Sequence, residues 1–294
     1  KYFFMKITKI SLLALLASIT FTSCSGENEE AQKNKDVPSV LTDSIKNITD
    51  AEVIPEDADL DQEILFKIDL IIGNNITGPS KVISEVKNKG IGRFQETLAI
   101  PMRQVRSFEG SSVGKGLALG ALGVDVTYLS VHNRPDLALK YIASINKLNR
   151  DLDCGMVIDA DAIDAFDEAK EDGEKMSELM YNQYFMMEQH LKTNAKLEVA
   201  AHVMVGGVIE SLYISAAQLM DAELTEDVVD LLYSQKQIIS DLIDIYNDME
   251  GDETIIDELM EVQTVFEKSS SDFTKADLEL LHEMVKDFHD EIAE

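Results

Sequence analysis

Two short groups of polar residues, set in apolar surroundings, have the types and spacing that chemistry requires. Asp125, Tyr128 and His132 recur at i, i+3 and i+7 within "LGALGVDVTYLSVH", which puts them on one face of a helix. Glu210 and Tyr213 share a face in "AAHVMVGGVIESLYISAA", and His202 lies two turns before the glutamate. Where two such helices touch, two acids, two tyrosines and one or two imidazoles converge. A carboxyl group in an apolar setting has its pKa raised unless it is paired, which is how many acid–base and binding sites arise. A satisfied buried polar network needs the same residues, so this cluster is open to both a ligand-binding and a structural reading.

Glycines must bring the two helices together. Gly116, Gly120 and Gly123 lie at i, i+4 and i+7 on one helix face, and Gly206 and Gly207 interrupt the second apolar run. Each glycine inside a helix costs about 1 kcal/mol relative to alanine. An unusually close neighbouring backbone offsets that cost, so the spacing predicts helices over 112–131 and 195–220 that cross at these glycines in the core.

The stretch "EGSSVGKGLALGALG" (109–123) invites comparison with a phosphate-binding loop and fails it. Only three residues separate Gly110 from Gly114, where a Walker A loop has four. Gly116 follows Lys115 where a hydroxyl should hold magnesium. The preceding "AIPMRQVRSF" is a poor buried strand, so no nucleotide is expected.

Other constellations are weaker. Glu198 with His202, and His282 with Asp287, His289 and Asp290, have metal-ligand chemistry but form no His-Glu-x-x-His pattern or cysteine cluster. Asp151, Asp153 and Gly155 open like a calcium loop, yet the glycine comes one place early and the twelfth position is not Glu. Cys154 has no activating partner in sequence and reads as a small buried thiol. No catalytic residue, cofactor or metal site is assigned.

The chain opens "KYFFMKITKISLLALLASITFTSCSGENEE". Lys6 and Lys9 precede an apolar run over 10–19, and Phe21-Thr22-Ser23 leads into Cys24, the pattern of a secretory signal peptide too short to span a bilayer. Met5 is read as the start, with residues 1–4 upstream of it. The cysteine after small residues resembles a bacterial lipoprotein lipobox, with Phe21 in place of the usual leucine. That resemblance implies a lipidated Cys24 at the mature N-terminus and anchorage in the outer membrane. Residues 24–38 are polar and read as a flexible acidic tether. Glu27, Glu29 and Glu30 resemble surface-export signals of Bacteroidota lipoproteins, so both a surface-exposed and a periplasm-facing body stay open. "DSI" (43–45) resembles the O-glycosylation motif of the same group, with Ser44 as acceptor.

The formal charge is −29, and removal of residues 1–23 takes away three lysines and no acid. Residues 221–294 alone hold 23 acids against four lysines. Such a field repels phosphate backbones and anionic headgroups, which excludes nucleic acid, and it attracts cations or basic partners. Solubility and repulsion from an acidic envelope are the preferred account of it. With Cys24 acylated, Cys154 is the one remaining thiol, so stability must come from burial.

Strand signals are nearly absent, and helical periodicity recurs. Helices are expected near 40–48, 59–72, 79–88, 92–100, 112–131, 135–149, 159–170, 173–192, 195–220, 225–249, 252–268 and 274–293. Leu278, Leu281, Val285, Phe288 and Ile292 draw one apolar stripe, Thr274 and Asp277 form a capping pair, and Gly251 marks a stop. Short links favour antiparallel neighbours, and 112–131 with 135–149 looks like one tetratricopeptide-type hairpin without a repeating period. The expected fold is all-α: antiparallel helical hairpins stacked as a bundle or tetratricopeptide-like array, one helical domain over 39–294.

"LGALGVDVTYLSVHNRPDLALKYI" (119–142), "AFDEA" (165–169) and "GGVIESLYIS" (206–215) resemble segments of a group of Bacteroidota lipoproteins without an established activity. Leu119-Gly120, Gly123, Asp125, Thr127, Tyr128, Gly206-Gly207, Glu210 and Tyr213 carry the likeness, over about a hundred central residues. The acidic C-terminal third lies outside it. The likeness implies a lipid-anchored, helical protein and transfers no catalytic residue. The expected function is a binding or scaffold module of the envelope, with an unidentified envelope protein or small ligand as partner. The alternative is small-molecule or metal binding at Asp125 and Glu210.

Overall fold

The computed structural model describes residues 78–105, 110–155, 160–169 and 196–293, with isolated positions between 62 and 68 and between 172 and 190. Among the described residues every regular element is helical. These are α1 (Pro79–Asn88), the short α2 (Met102–Val105), α3 (Ser112–Val131), α4 (Pro135–Asp151), α5 (Ala160–Ala169), α6 (Leu197–Leu219), α7 (Glu226–Tyr233), α8 (Lys236–Asp248), α9 (Glu253–Thr264) and α10 (Lys275–Ala293). The expectations at Cys24, residues 1–38, Ser44 and helix 40–48 lie outside the described residues. So does most of 59–72 and 173–192.

Two helices are apolar all round, and they form the centre. Nearly every residue of α3 from Gly116 to Ser130 is buried, as is nearly all of α6. Helices without a polar face can only be stable inside. α6 is long and apolar enough to cross a membrane, yet 89% of its most apolar window is buried inside the fold, which accounts for its composition as a core helix. α3 packs on α6 more extensively than any other pair; α1, α8 and α10 also lie against α6, and α4 lies against α3. The outer helices are amphipathic, with Leu278, Leu281, Val285, Phe288 and Ile292 of α10 all buried. One continuous apolar core results.

The ends are held locally. Ser111 Oγ accepts from Gly114 N–H at the start of α3, and Asp252 caps α9 through Thr254 N–H. Asp277 Oδ2 accepts from both the N–H and the hydroxyl of Thr274. Asn133, Asp153 and Glu250 take positive φ just past α3, α4 and α8, where the following N–H returns to the last turn. The expected stop at Gly251 is thus made by Glu250. Gly251 is needed for another reason: a Cβ there would come within 2.8 Å of the Tyr246 ring.

Two helix expectations are corrected. Residues 92–100 are not a helix but an extended segment with one 3-10 turn at Glu96–Leu98. Gly90 and Gly92 turn the chain at φ 72° and 76°, and Pro101 disfavours helical geometry at Ile100. The expected helix 225–249 breaks into α7 and α8 at Ser234–Gln235, where the Ser234 hydroxyl donates to the Leu231 carbonyl and competes with the helical ladder.

Candidate functional site

The glycines set the distance between α3 and α6. A Cβ on Gly120 would lie 1.9 Å from the Val203 carbonyl oxygen, and one on Gly206 would lie 1.9 Å from that of Leu117. Each glycine therefore admits the backbone of the other helix. A Cβ on Gly116 would lie 2.6 Å from the Cβ of His202. Gly207 faces elsewhere, 3.6 Å from Pro79 of α1, and Gly123 is buried in α3 with its carbonyl accepting from the Thr127 hydroxyl.

At this approach Asp125 of α3 and Glu210 of α6 meet, both completely buried. Asp125 Oδ2 accepts from Ile100 N–H at 3.1 Å. Glu210 Oε2 lies 2.6 Å from Nδ1 of His289 on α10. The two carboxyl groups are close enough to shift one another, and Asp125 Oδ1 and Glu210 Oε1 have no hydrogen-bond partner. Burial drives both carboxyl groups well above the usual carboxylate range, and the neighbouring Glu210 adds to the rise at Asp125. Burial also lowers the His289 imidazole despite the acids beside it. Burial thus works against charge on both partners of the Glu210–His289 contact.

The other polar residues frame this centre. The Tyr213 ring stacks on His289 at 4.1 Å and on His282 at 5.6 Å between centroids, and burial pushes its hydroxyl up to about 12. Tyr141 of α4 donates to the Ile100 carbonyl at 2.5 Å. Ile100 is thus held at both backbone groups, by Asp125 and by Tyr141. Tyr128 does the same for Gln95, accepting from its N–H at 2.9 Å and donating to its carbonyl at 3.2 Å. The buried polar side chains of α3 and α4 thus replace the backbone hydrogen bonds that the extended segment gives up by not being helical.

The six residues expected to converge fall into three groups. Asp125, Glu210 and Tyr213 are together. Tyr128 and His132 form a second group with Phe94, where the His132 ring receives Gln218 Nε2–H at 3.0 Å and Arg134 sits over the Phe94 ring. His202 is alone on the far side of the glycine seam, its Nδ1 bonded to the Tyr246 hydroxyl. Two helical turns separate it from Glu210, about 12 Å along the axis. Burial lowers both His132 and His202 to about 4, so both are neutral at pH 7.

The metal candidates do not assemble. Glu198 is exposed while His202 points inward, and His289 is buried while Asp287 and Asp290 face outward, Asp290 pairing with Lys286. Among the described residues no group of three or more His, Cys, Asp or Glu is placed to hold a metal ion. Cys154 is fully buried, and burial pushes its thiol up to about 11, far from a reactive thiolate.

His289 and Tyr141 were not among the residues expected at the centre, yet both could have been found. His289 stands four after Val285 and three before Ile292, within the apolar stripe of α10, and Tyr141 lies on the inner face of α4 with Ala138 and Ile145. A polar residue on an apolar stripe is the signal. No sequence signal marked Ile100 as the backbone partner. None of the protein-family models, curated proteins or solved structures compared with the chain matches it.

Proposed function

We propose that this chain is a lipid-anchored envelope protein whose helical body serves as a binding or scaffold module at the outer membrane. The observation that carries the reading is Cys24, placed directly after a basic start, a short apolar run and small residues. The body fits that role: its central polar groups are engaged with one another and with backbone, while α7–α10 turn acids outward. The contacts of α3 with α4 and of α9 with α10 suit antiparallel hairpins in a bundle. The main packing of α3 on the sequence-distant α6 argues against a tetratricopeptide-like array, in which neighbours in sequence stack.

Metabolic labelling with a palmitate analogue in a Bacteroidota host, followed by fractionation, tests the anchor. The label and the membrane fraction are expected for the wild type and lost in Cys24→Ala. An unlabelled, soluble wild-type chain refutes the reading. Protease treatment of intact cells then separates a surface-exposed from a periplasm-facing body.

The unpartnered Oδ1 of Asp125 and Oε1 of Glu210 favour one second reading, a small polar ligand or cation held between α3 and α6. A thermal-shift screen over metal salts and small metabolites tests it. Stabilisation that disappears in Asp125→Asn and Glu210→Gln supports it.

A further inference from the structure

Two buried acceptor oxygens on neighbouring core carboxyl groups, Asp125 Oδ1 and Glu210 Oε1, have no hydrogen-bond partner. Ile100 N–H occupies Asp125 Oδ2 and His289 occupies Glu210 Oε2, which leaves Oδ1 and Oε1 without partners. Two buried carboxylates this close cannot both be ionised without a cation. Among the described residues the surrounding elements supply none. α3 brings Tyr128, α4 brings Tyr141, α6 brings Tyr213, and the extended segment brings Ile100 N–H with Glu96 farther off. α1 offers neutral groups, Ser80 to Thr127 and the Pro79 carbonyl to Ser211. On α10 the near group is His289. His282 lies beyond Tyr213, and the Lys286 ammonium is half exposed and paired with Asp290.

We propose that Asp125 and Glu210 are a proton-binding site: Asp125 Oδ1 carries a hydrogen that it donates to Glu210 Oε1, and Glu210 Oε2 carries a second that it donates to His289 Nδ1. α3, α6 and α10 are then joined by one neutral chain of hydrogen bonds that starts at Ile100 N–H. The ligand is the proton itself, not a metal or an organic molecule, and the site is occupied at neutral pH.

The chain has a pH signature. Both carboxyl groups bind protons more tightly folded than unfolded. Their contribution to stability is complete below the unfolded carboxyl range and is lost as pH rises through the raised folded values. His132 and His202, lowered to about 4, act the other way: their contribution is present above 6.5 and is lost as pH falls toward 4. Glu258, pushed up to about 7 by burial and by Glu291, adds a slope of the same sign as the pair that fades as pH rises above 7. Between about pH 7.5 and 8.5 the exposed carboxylates are fully charged, and ordinary lysines and tyrosines are still almost fully protonated. Cys154, pushed up to about 11 by burial, adds a slope of the same sign that the wild type and the double variant share, so the Asp125–Glu210 pair is read from the difference between them.

The experiment is urea unfolding of the full chain across that window at fixed ionic strength, for the wild type and for Asp125→Asn/Glu210→Gln. The two amides reproduce the donors and acceptors of the protonated acids without a titratable hydrogen. The wild-type ratio of folded to unfolded is expected to fall more steeply than that of the double variant by up to about 100-fold per pH unit, the slope for two protons, and the double variant is expected to keep only the shallower slope left by Cys154 and Glu258. Equal slopes, or a flat wild type, overturn the proposal. Infrared difference spectra decide independently of whether the variant folds. A protonated-carboxyl stretch that shifts in heavy water is expected from wild-type protein at about pH 8.5, above the range in which Glu258 titrates. Its absence, or its removal by a divalent cation that raises the melting temperature, overturns the proposal and favours a cation at the same oxygens.

Discussion

α6 is tied to its neighbours at two places by opposite means. At Gly120 and Gly206 the backbones of α3 and α6 approach because no side chain stands between them. One turn farther along, Asp125, Glu210 and His289 join three helices through polar groups removed from water. The seam has no tolerance for an added atom, since what a Cβ would meet is backbone, which cannot rotate aside. The polar chain has no tolerance for a missing hydrogen bond, since a buried acceptor without a donor keeps its full desolvation cost. The seam brings the helices close enough for two carboxyl groups to touch, so the chemistry of the second region depends on the emptiness of the first.

The largest effect is expected at the seam. Gly120→Ala places a methyl 1.9 Å from the Val203 carbonyl oxygen, and the helices must separate to admit it. Overpacking of this kind costs about 3 kcal/mol or more, against a gain of about 1 kcal/mol in helix propensity. Urea unfolding followed by circular dichroism should show a strongly destabilised chain. Gly206→Ala should match it, because the contact with Leu117 is reciprocal. A Gly120→Ala chain of wild-type stability would mean that the two helices are not in backbone contact.

How legible these two regions are in sequence differs for a physical reason. Glycine inside an apolar helix has a standing cost, so its presence at i, i+4 and i+7 points to a close neighbour without knowledge of which neighbour. The apolar periodicity of α3, α6 and α10 likewise follows from their own residues, and their ends lie within two or three positions of expectation. Asp125 and Glu210 stood out as acids in apolar surroundings. Their partners did not, because His289 and Ile100 come from chain segments whose docking is tertiary. The extended segment 91–101 was the least legible. Its residues can form a helix, and what holds them extended lies elsewhere: Gln218 against Gly92, Tyr128 on Gln95, and Asp125 with Tyr141 on Ile100. Likewise His202 shares an apolar run with Glu210, but helical rotation over eight residues carries it to Tyr246.

A middling effect is expected where the polar chain meets that segment. Tyr141→Phe removes the donor to the Ile100 carbonyl while keeping the ring in the core. An orphaned buried carbonyl costs about 1–2 kcal/mol. The loss should be local, so hydrogen exchange should quicken at Ile100 and its neighbours before it does at α6. Uniform quickening throughout would show that the extended segment is not held separately from the bundle.

The smallest effect sharpens the comparison most, because it uses the residue adjacent to the most sensitive position. Gly207 follows Gly206 in α6 but is turned about 100° around the helix, toward α1 rather than α3. The atoms nearest a Cβ there are Pro79 Cγ at 3.6 Å and the Gly120 carbonyl oxygen at 3.8 Å, ordinary contact distances. Gly207→Ala therefore meets no obstacle and gains helix propensity, up to about 1 kcal/mol. In a chain of this size that raises the melting temperature by about 2–4 °C. Adjacent glycines should then respond with opposite sign to the same methyl group, Gly206 losing stability and Gly207 gaining it. Loss at both positions would mean that α1 presses on α6 as tightly as α3 does. The glycine pair would then be a general thinning of the helix rather than a seam with one direction.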